Sequence, residues 1–359
     1  MTTATTSVPA GADAIERRRW LMLAVLITGQ FMALLDVTIV NVAIPTIREK
    51  LDASGAALQL IVAGYTVTYA MLLITGARLG DLRGPRRLFL AGLGTFTLAS
   101  LACGLAPTTG ALIAARFVQG AGAALMVPQI LSVIQRQFAG AARARALGVY
   151  AATLASGALV GQVAGGLLVS ADLLGAAWRP VFLVNVPVGL AVALLVPRLV
   201  PADHVTGGRH LDLPGLLTAS GAVLAVVLPL VLGHEQGWPA WTFLSLAAGV
   251  LLAGVFVQVE RSVAARGGDP LLDLRVLRAP GLVAGLAALT AAMIGYGGFL
   301  FTLALHTQEF HGPWRGHPEV SERGTAQPGE IQVILNLAEL PLFSCSPTLA
   351  GQAAQVTPV

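Results

Sequence analysis

Apolar runs long enough to cross a lipid bilayer recur along the first 305 residues of the chain. About nine can be counted, each close to the length of roughly 20 residues that a transmembrane helix needs. They cover residues 20–44, 58–77, 88–106, 110–134, 147–170, 180–199, 214–233, 240–259 and 279–305. Because lipid offers the backbone no hydrogen bonds, such runs adopt helices. The pattern predicts an all-α, polytopic transmembrane helix bundle.

The overall composition agrees with this prediction. Hydrophobic residues make up 55% of the chain and charged residues 11%, and the mean hydropathy is +0.77. These values exclude an ordinary soluble domain. The single lysine, Lys50, also excludes a glycine-rich phosphate loop ending in Gly-Lys, so ATP bound to such a loop cannot drive a process in this chain.

The arginines are distributed unevenly between the two sides of a nine-span threading. One side carries Arg17–Arg19, Arg83, Arg86, Arg87, Arg136, Arg143, Arg145, Arg198, Arg209, Arg261, Arg266, Arg275 and Arg278, and the other carries Arg48, Lys50 and Arg179. The positive-inside rule therefore predicts a cytoplasmic N-terminus in a multi-pass protein of the bacterial plasma (inner) membrane. The net charge of +4 thus indicates topology, and no nucleic-acid partner is expected.

Two charged residues fall inside the apolar runs. Asp36 in "LLDVTIVNVAIP" lies about 24 Å from the predicted cytoplasmic end of the first span, and Arg116 about 27 Å along the fourth, at 1.5 Å per residue. Gln119 and Gly120 follow Arg116 at i+3 and i+4, so this helix face is polar or small and should point into the bundle. A structural ion pair, an interfacial acid near the outer end of the span and a snorkelling arginine remain alternatives.

The segment "GARLGDLRGPRRLFL", residues 76–90, joins the second and third spans. Its acid, Asp81, lies at a helix end, where it can pair with an arginine or with a neighbouring helix N-terminus. Asp81, Arg83, Gly84 and Arg86 are therefore candidates for a cytoplasmic gate. The alternative is a tight turn that carries only topology-setting charge.

The fifth span contains "SGALVGQVAGGLL", in which Gly157, Gly161 and Gly165 recur every four residues. This spacing places them on one helix face, and small residues there allow a neighbouring helix to approach closely. Gly166 follows directly. Helix packing alone explains the run as far as the residues themselves go.

These motifs, with "LLDVTIVNVAIP" and "WRPVFLVNVPVG" (Trp178–Gly189), resemble the signatures of the major facilitator superfamily. The resemblance is to its fourteen-helix drug:proton antiporters. It implies proton-coupled efflux of a hydrophobic or cationic drug or antibiotic, which confers resistance. It further implies roles for Asp36, Arg116 and Gln119 in proton and substrate coupling, and for Gly157, Gly161, Gly165 and Gly166 in antiporter helix packing.

The resemblance also predicts what the chain binds and how it is organised. We expect a small-molecule drug and protons as partners in a lipid bilayer, no enzyme activity, no cofactor and no metal; the oligomeric state stays open. The predicted divisions are a cytoplasmic tail (1–19), a six-helix half (20–199), a linker with two inserted helices (200–260), the first helix of an incomplete second half (261–305) and a polar tail (306–359).

The polar tail bears on function. From His306 onward the apolar pattern stops, so we expect a truncated or frame-shifted chain whose transport is impaired. A non-transporting membrane remnant or interaction protein and an importer of the same fold therefore remain alternatives. The resemblance of the glycine run in the fifth span to the antiporter signature implies the exporter and not the importer.

Overall fold

The computed structural model is helical in the main, and most of the predicted spans coincide with its helices. It describes residues 10–170, 178–203, 212–233, 236–268, 270–272, 279, 281–288, 290, 291 and 295. Its numbered helices are α1 (Ala10–Leu51), α2 (Gly55–Arg83), α3 (Pro85–Gly104), α4 (Thr109–Gln137), α5 (Gly140–Ser170), α6 (Pro180–Leu183), α7 (Asn185–Leu199), α8 (Leu213–Leu232) and α9 (Ala240–Ala265). Residues 281–288 are helical as well.

Seven segments of the described residues are long and apolar enough to cross a membrane. They correspond to the predicted first to fourth and sixth to eighth spans, with α6 and α7 together forming the sixth. The predicted fifth span, 147–170, lies within the 31 residues of α5. The predicted ninth span and the polar tail lie largely or wholly outside the described residues. Helix α1 begins ten residues before the predicted first span, so part of the expected N-terminal tail is helical.

The helix boundaries follow from local chemistry. Ser54 and Thr108 accept hydrogen bonds from the backbone N–H groups of Ala57 and Ala111, and so cap the starts of α2 and α4. The break between α6 and α7 falls at Val184, three residues before Pro187. Because proline has no backbone N–H, the hydrogen bond that would join the two helices at this point cannot form.

The first seven helices pack around a common core. Helix α4 packs against α2 and α3, α1 packs against α5, and α7 contacts both α1 and α3. The approach of α3 to α4 depends on Gly92, because a Cβ on that residue would lie 2.6 Å from the backbone nitrogen of Met126. Helices α8 and α9 pair with each other, and α8 packs against α2.

The buried apolar side chains form two clusters. The Phe96 cluster contains Met22, Leu26, Phe89, Phe96, Met126, Ile130 and Ile134 among its members. The Phe182 cluster contains Ile39, Ala43, Ile61, Cys103, Leu112, Trp178 and Phe182 among its members. Residues near the middle of α1 and α4 lie between the two clusters, and the candidate site is there.

Candidate functional site

Asp36 and Arg116 meet in the interior of the helix bundle. Arg116 Nη1 donates to Asp36 Oδ2 in a buried ion pair. The side chain of Asp36 is fully buried and that of Arg116 is 1% exposed. An arginine buried in this way does not snorkel to the membrane interface, so this alternative does not describe Arg116.

The second oxygen of Asp36 accepts two amide hydrogen bonds. Gln119 Nε2 lies 2.7 Å from Asp36 Oδ1, and Asn185 Nδ2 lies 3.3 Å from the same atom. Asp36 therefore has three side-chain donors, which come from α4 and α7.

Arg116 is also held by groups other than Asp36. Its Nε donates to the carbonyl oxygen of Ile61 at 2.9 Å, and its Nη1 donates to Gln119 Oε1 at 2.7 Å. The guanidinium carbon lies 4.7 Å from the ring centroid of Tyr65 and 5.7 Å from that of Phe182. These cation–π contacts and hydrogen bonds compensate for the loss of water around the charge.

Ser100 contacts the same two amide nitrogens that donate to Asp36. Its hydroxyl oxygen accepts from Gln119 Nε2 at 3.1 Å and from Asn185 Nδ2 at 3.0 Å. The same hydroxyl donates to the carbonyl oxygen of Phe182 at 3.0 Å. A single buried network thus connects side chains of α1, α3, α4 and α7 with backbone carbonyls of α2 and α6.

The glycine run of α5 lies against α1 beside Asp36. A Cβ on Gly157 would lie 2.9 Å from the Cβ of Leu34, and one on Gly161 would collide with the hydroxyl of Thr38. A Cβ on Gly165 would lie 2.9 Å from Ile39 Cγ1. The three glycines therefore set the approach of α5 to the turns of α1 on either side of Asp36. Gly166 is partly exposed.

Of the predicted gate residues, Asp81 pairs with an arginine, and this arginine lies outside the predicted set. Asp81 forms an ion pair of 3.8 Å with Arg136 at the end of α4, and both side chains are more than a third exposed. Among the described contacts of Asp81, neither Arg83 nor Arg86 is a partner. Arg83 is exposed and lies beside a surface cavity of about 390 Å³.

Asp203 occupies the N-terminus of α3, next to Gly84 and Arg86. Its two oxygens accept the backbone N–H groups of Arg86 at 3.0 Å and of Arg87 at 2.9 Å. Gly84 has a φ of +95°, and a Cβ on it would collide with the Asp203 carboxylate. The carboxylate at this end of the helix thus comes from the segment after α7, where it complements the helix dipole.

Three residues of the site were not singled out by sequence reasoning. Asn185 lies in the motif "WRPVFLVNVPVG", whose Trp and Arg also fit a membrane-interface anchor. This motif could have identified Asn185 as a residue of the site. Ser100 and Tyr65 lie in apolar runs in which small hydroxyl and aromatic residues are common. Among the described residues, no group of three or more His, Cys, Asp and Glu side chains could hold a metal ion.

Comparison with known proteins assigns the family. The model of the Major Facilitator Superfamily matches residues 26–321. The chain is 40% identical over 291 residues to a probable actinorhodin transporter of Streptomyces coelicolor, which covers 81% of this chain and 50% of that protein. It is 39% identical over 289 residues to a cephamycin export protein of Amycolatopsis lactamdurans, over 79% and 58% of the two chains.

A third relative is a puromycin resistance protein of Streptomyces alboniger, which is 40% identical over 279 residues, or 77% of this chain and 52% of that protein. The chain thus spans about half of the length of the curated relatives that it matches. The family match includes the whole of the Asp36 network and all the described helices from α2 to α9. The chain belongs to the Major Facilitator Superfamily.

Proposed function

We propose that this chain contributes to the export of a small-molecule antibiotic or drug, hydrophobic or cationic, in exchange for protons. The names of the relatives support export of such compounds, because they include an antibiotic transporter, an export protein and a resistance protein. The proposal includes a plasma-membrane location with a cytoplasmic N-terminus, which the distribution of arginines supports.

The buried ion pair between Asp36 and Arg116 carries the proposal. A charge in the membrane interior is costly and is usually functional. Asp36 is the group of the network that can take up a proton, since a guanidinium stays protonated. Proton uptake by Asp36 removes the negative charge that Arg116 faces and so breaks the electrostatic part of the link between α1 and α4.

Loss of this link changes what the site can bind. With Asp36 ionised, the pair is neutral overall and all three donors are engaged. With Asp36 protonated, Arg116 is an uncompensated cation that repels a cationic substrate. A proton and a cationic substrate therefore compete for the same carboxylate, and this competition couples their movement in opposite directions.

The ion pair between Asp81 and Arg136 is the proposed gate at the end of α2 and α4 that is predicted to be cytoplasmic. It joins two helices that also meet at the network, since Arg116 and Gln119 belong to α4 and Ile61 to α2. A partly exposed pair contributes about 0–1 kcal/mol. A contact of this strength can open and close with small changes in helix position.

Transport by proteoliposomes that contain the purified chain tests the proposal. An imposed pH gradient should drive movement of a fluorescent lipophilic cation, and addition of the cation should in turn move protons. Asp36→Asn should abolish both, while the matched change Asp52→Asn at an exposed position should leave both intact. Unchanged coupling in Asp36→Asn would overturn the role of Asp36. A wild-type chain without any gradient-driven movement would favour a non-transporting protein.

A further inference from the structure

Two further carboxyl groups lie buried where α8 begins and α9 approaches its end. Asp212 precedes the first residue of α8, and its Oδ1 accepts the backbone N–H of Gly215 at 3.0 Å. Glu260, in α9, is 1% exposed, and its Oε2 accepts the backbone N–H of Leu272 at 2.9 Å. Each carboxyl group thus has one oxygen engaged in holding the backbone.

The other two oxygens face each other across Gly215. Asp212 Oδ2 and Glu260 Oε1 are buried and have no hydrogen-bond partner among the described residues. A Cβ on Gly215 would lie 2.6 Å from the first and 2.5 Å from the second, so the two oxygens are at most about 5 Å apart. The missing side chain of Gly215 leaves the gap toward which both oxygens point.

The two acids have one cationic side chain near them among the described residues. Asp212 and Arg78 both act electrostatically on Glu260, and Arg78 Nη2 donates to the carbonyl oxygen of Pro270 at 3.2 Å. Among the described residues, the charges that act on Glu260 are thus one further carboxylate and one guanidinium, which leave one negative charge over when both acids are ionised. Neighbouring carboxylates in such surroundings do not both stay ionised.

We propose that Glu260 and Asp212 bind a single proton between Glu260 Oε1 and Asp212 Oδ2, above Gly215. The proton turns the repulsion of two carboxylates into a charge-assisted hydrogen bond. It satisfies both unpartnered oxygens and removes one of the two negative charges. This proton site is separate from Asp36, and through Arg78 and Pro270 it connects α8 and α9 to α2, three residues before Asp81.

Infrared spectroscopy and thermal unfolding of the full chain in detergent test the proposal. The wild type should show the carbonyl stretch of a protonated carboxyl group near neutral pH. Glu260→Gln and Asp212→Asn should each remove the same band, and the double variant should lose no more than either single variant. Asp36→Asn should leave this band in place.

The melting temperature supplies a second readout with a defined sign. The proposed pair holds a proton when folded, whereas two separate carboxyl groups of the unfolded chain are ionised near neutral pH. The folded state then binds more protons, so its stability should fall as the pH rises from about 5 to about 8. Glu260→Gln keeps the acceptor for Leu272 and should remove this pH dependence.

A change at Gly215 tests the gap itself. Gly215→Ala places a methyl group between the two oxygens and should abolish the band. Gly221→Ala in the same helix is the matched control, because its Cβ would lie 3.4 Å from Leu252 Cδ1, an ordinary contact. This control should retain the band.

Three results would overturn the proposal. The first is the absence of the band in a folded wild-type chain, which would mean that both carboxylates are ionised. The second is that Glu260→Gln removes one band and Asp212→Asn removes a different one, which would mean that each acid binds its own proton. The third is a melting temperature that rises with sodium or potassium chloride but not with choline chloride, which would place a metal cation in the gap.

Discussion

Asn185 donates a hydrogen bond to Asp36 Oδ1 across 3.3 Å, although 149 residues separate the two in the chain. The same amide nitrogen lies 3.0 Å from Ser100 Oγ. Asn185 thereby connects the start of α7 to both α1 and α3. It is 1% exposed, so its loss leaves buried acceptors that water cannot reach.

Asn185→Ala should therefore lower the free energy of unfolding by about 1–3 kcal/mol, the usual cost of leaving a buried partner unsatisfied. Thermal and denaturant unfolding in detergent would measure the change. Asn41→Ala, at an exposed asparagine of α1, is the matched control and should stay within about 0.5 kcal/mol of the wild type. Equal effects of the two substitutions would contradict the structural role of Asn185.

Asp36 and Arg116 should behave as a coupled pair. Arg116→Gln leaves a buried carboxylate without its counter-ion, and Asp36→Asn leaves a buried guanidinium, so each change should cost about 3–5 kcal/mol. The double variant removes both charges. Its loss of unfolding free energy should be smaller than the sum of the two single losses by about 1 kcal/mol or more. A double-mutant cycle of unfolding free energies checks this, and strict additivity would show that the two charges do not interact.

The glycines of α5 allow a comparison within one helix. Gly161→Ala forces a methyl group onto the hydroxyl of Thr38 and should destabilise the protein by about 1–3 kcal/mol. Gly148→Ala has no atom within 4 Å of the added methyl group and should stabilise by about 0.5–1 kcal/mol, because alanine favours the helix. The prediction fails if the melting temperatures of both variants move in the same direction.

Two acids near the end of α2 should differ in importance. Asp203→Ala removes the acceptor of two backbone N–H groups of α3 and should cost about 0.5–2 kcal/mol, as the loss of a helix cap does. Asp81→Ala removes a partly exposed ion pair and should cost no more than about 1 kcal/mol. Their unfolding curves, compared at high and low salt, give the ranking. A larger loss for Asp81→Ala would reverse our assignment.

The sequence was sufficient for those parts of the site that depend on helix geometry alone. Asp36 and Arg116 could be paired because a charge in an apolar run is rare and their depths match. Gln119 followed from its i+3 spacing to Arg116. The four-residue spacing of Gly157, Gly161 and Gly165 predicted the glycine face of α5, although the helix that contacts it became visible only in the fold.

The remaining partners depend on the path of the chain between helices, which residue periodicity does not encode. Asp203 lies 117 residues after Arg86, and its position depends on where the segment after α7 turns. The pairing of Asp81 with Arg136 depends on the relative lengths of α2 and α4. Asp212 and Glu260 lie near helix ends, where charged residues are common in a sequence. Only the packing of the helices shows that these two side chains are buried.

Helix α1 has 42 residues. Its hydrogen-bonded residue Asp36 lies 26 residues after Ala10, the first residue of the helix. At 1.5 Å per residue this distance is about 39 Å, so a tilt of about 5° around Asp36 would move the first turn of the helix by about 3 Å. The part of α1 that precedes Asp36 is therefore long, and Asp36 is the residue about which it would rotate. A rotation of α1 by a few degrees about Asp36 therefore moves the start of the helix by several ångströms.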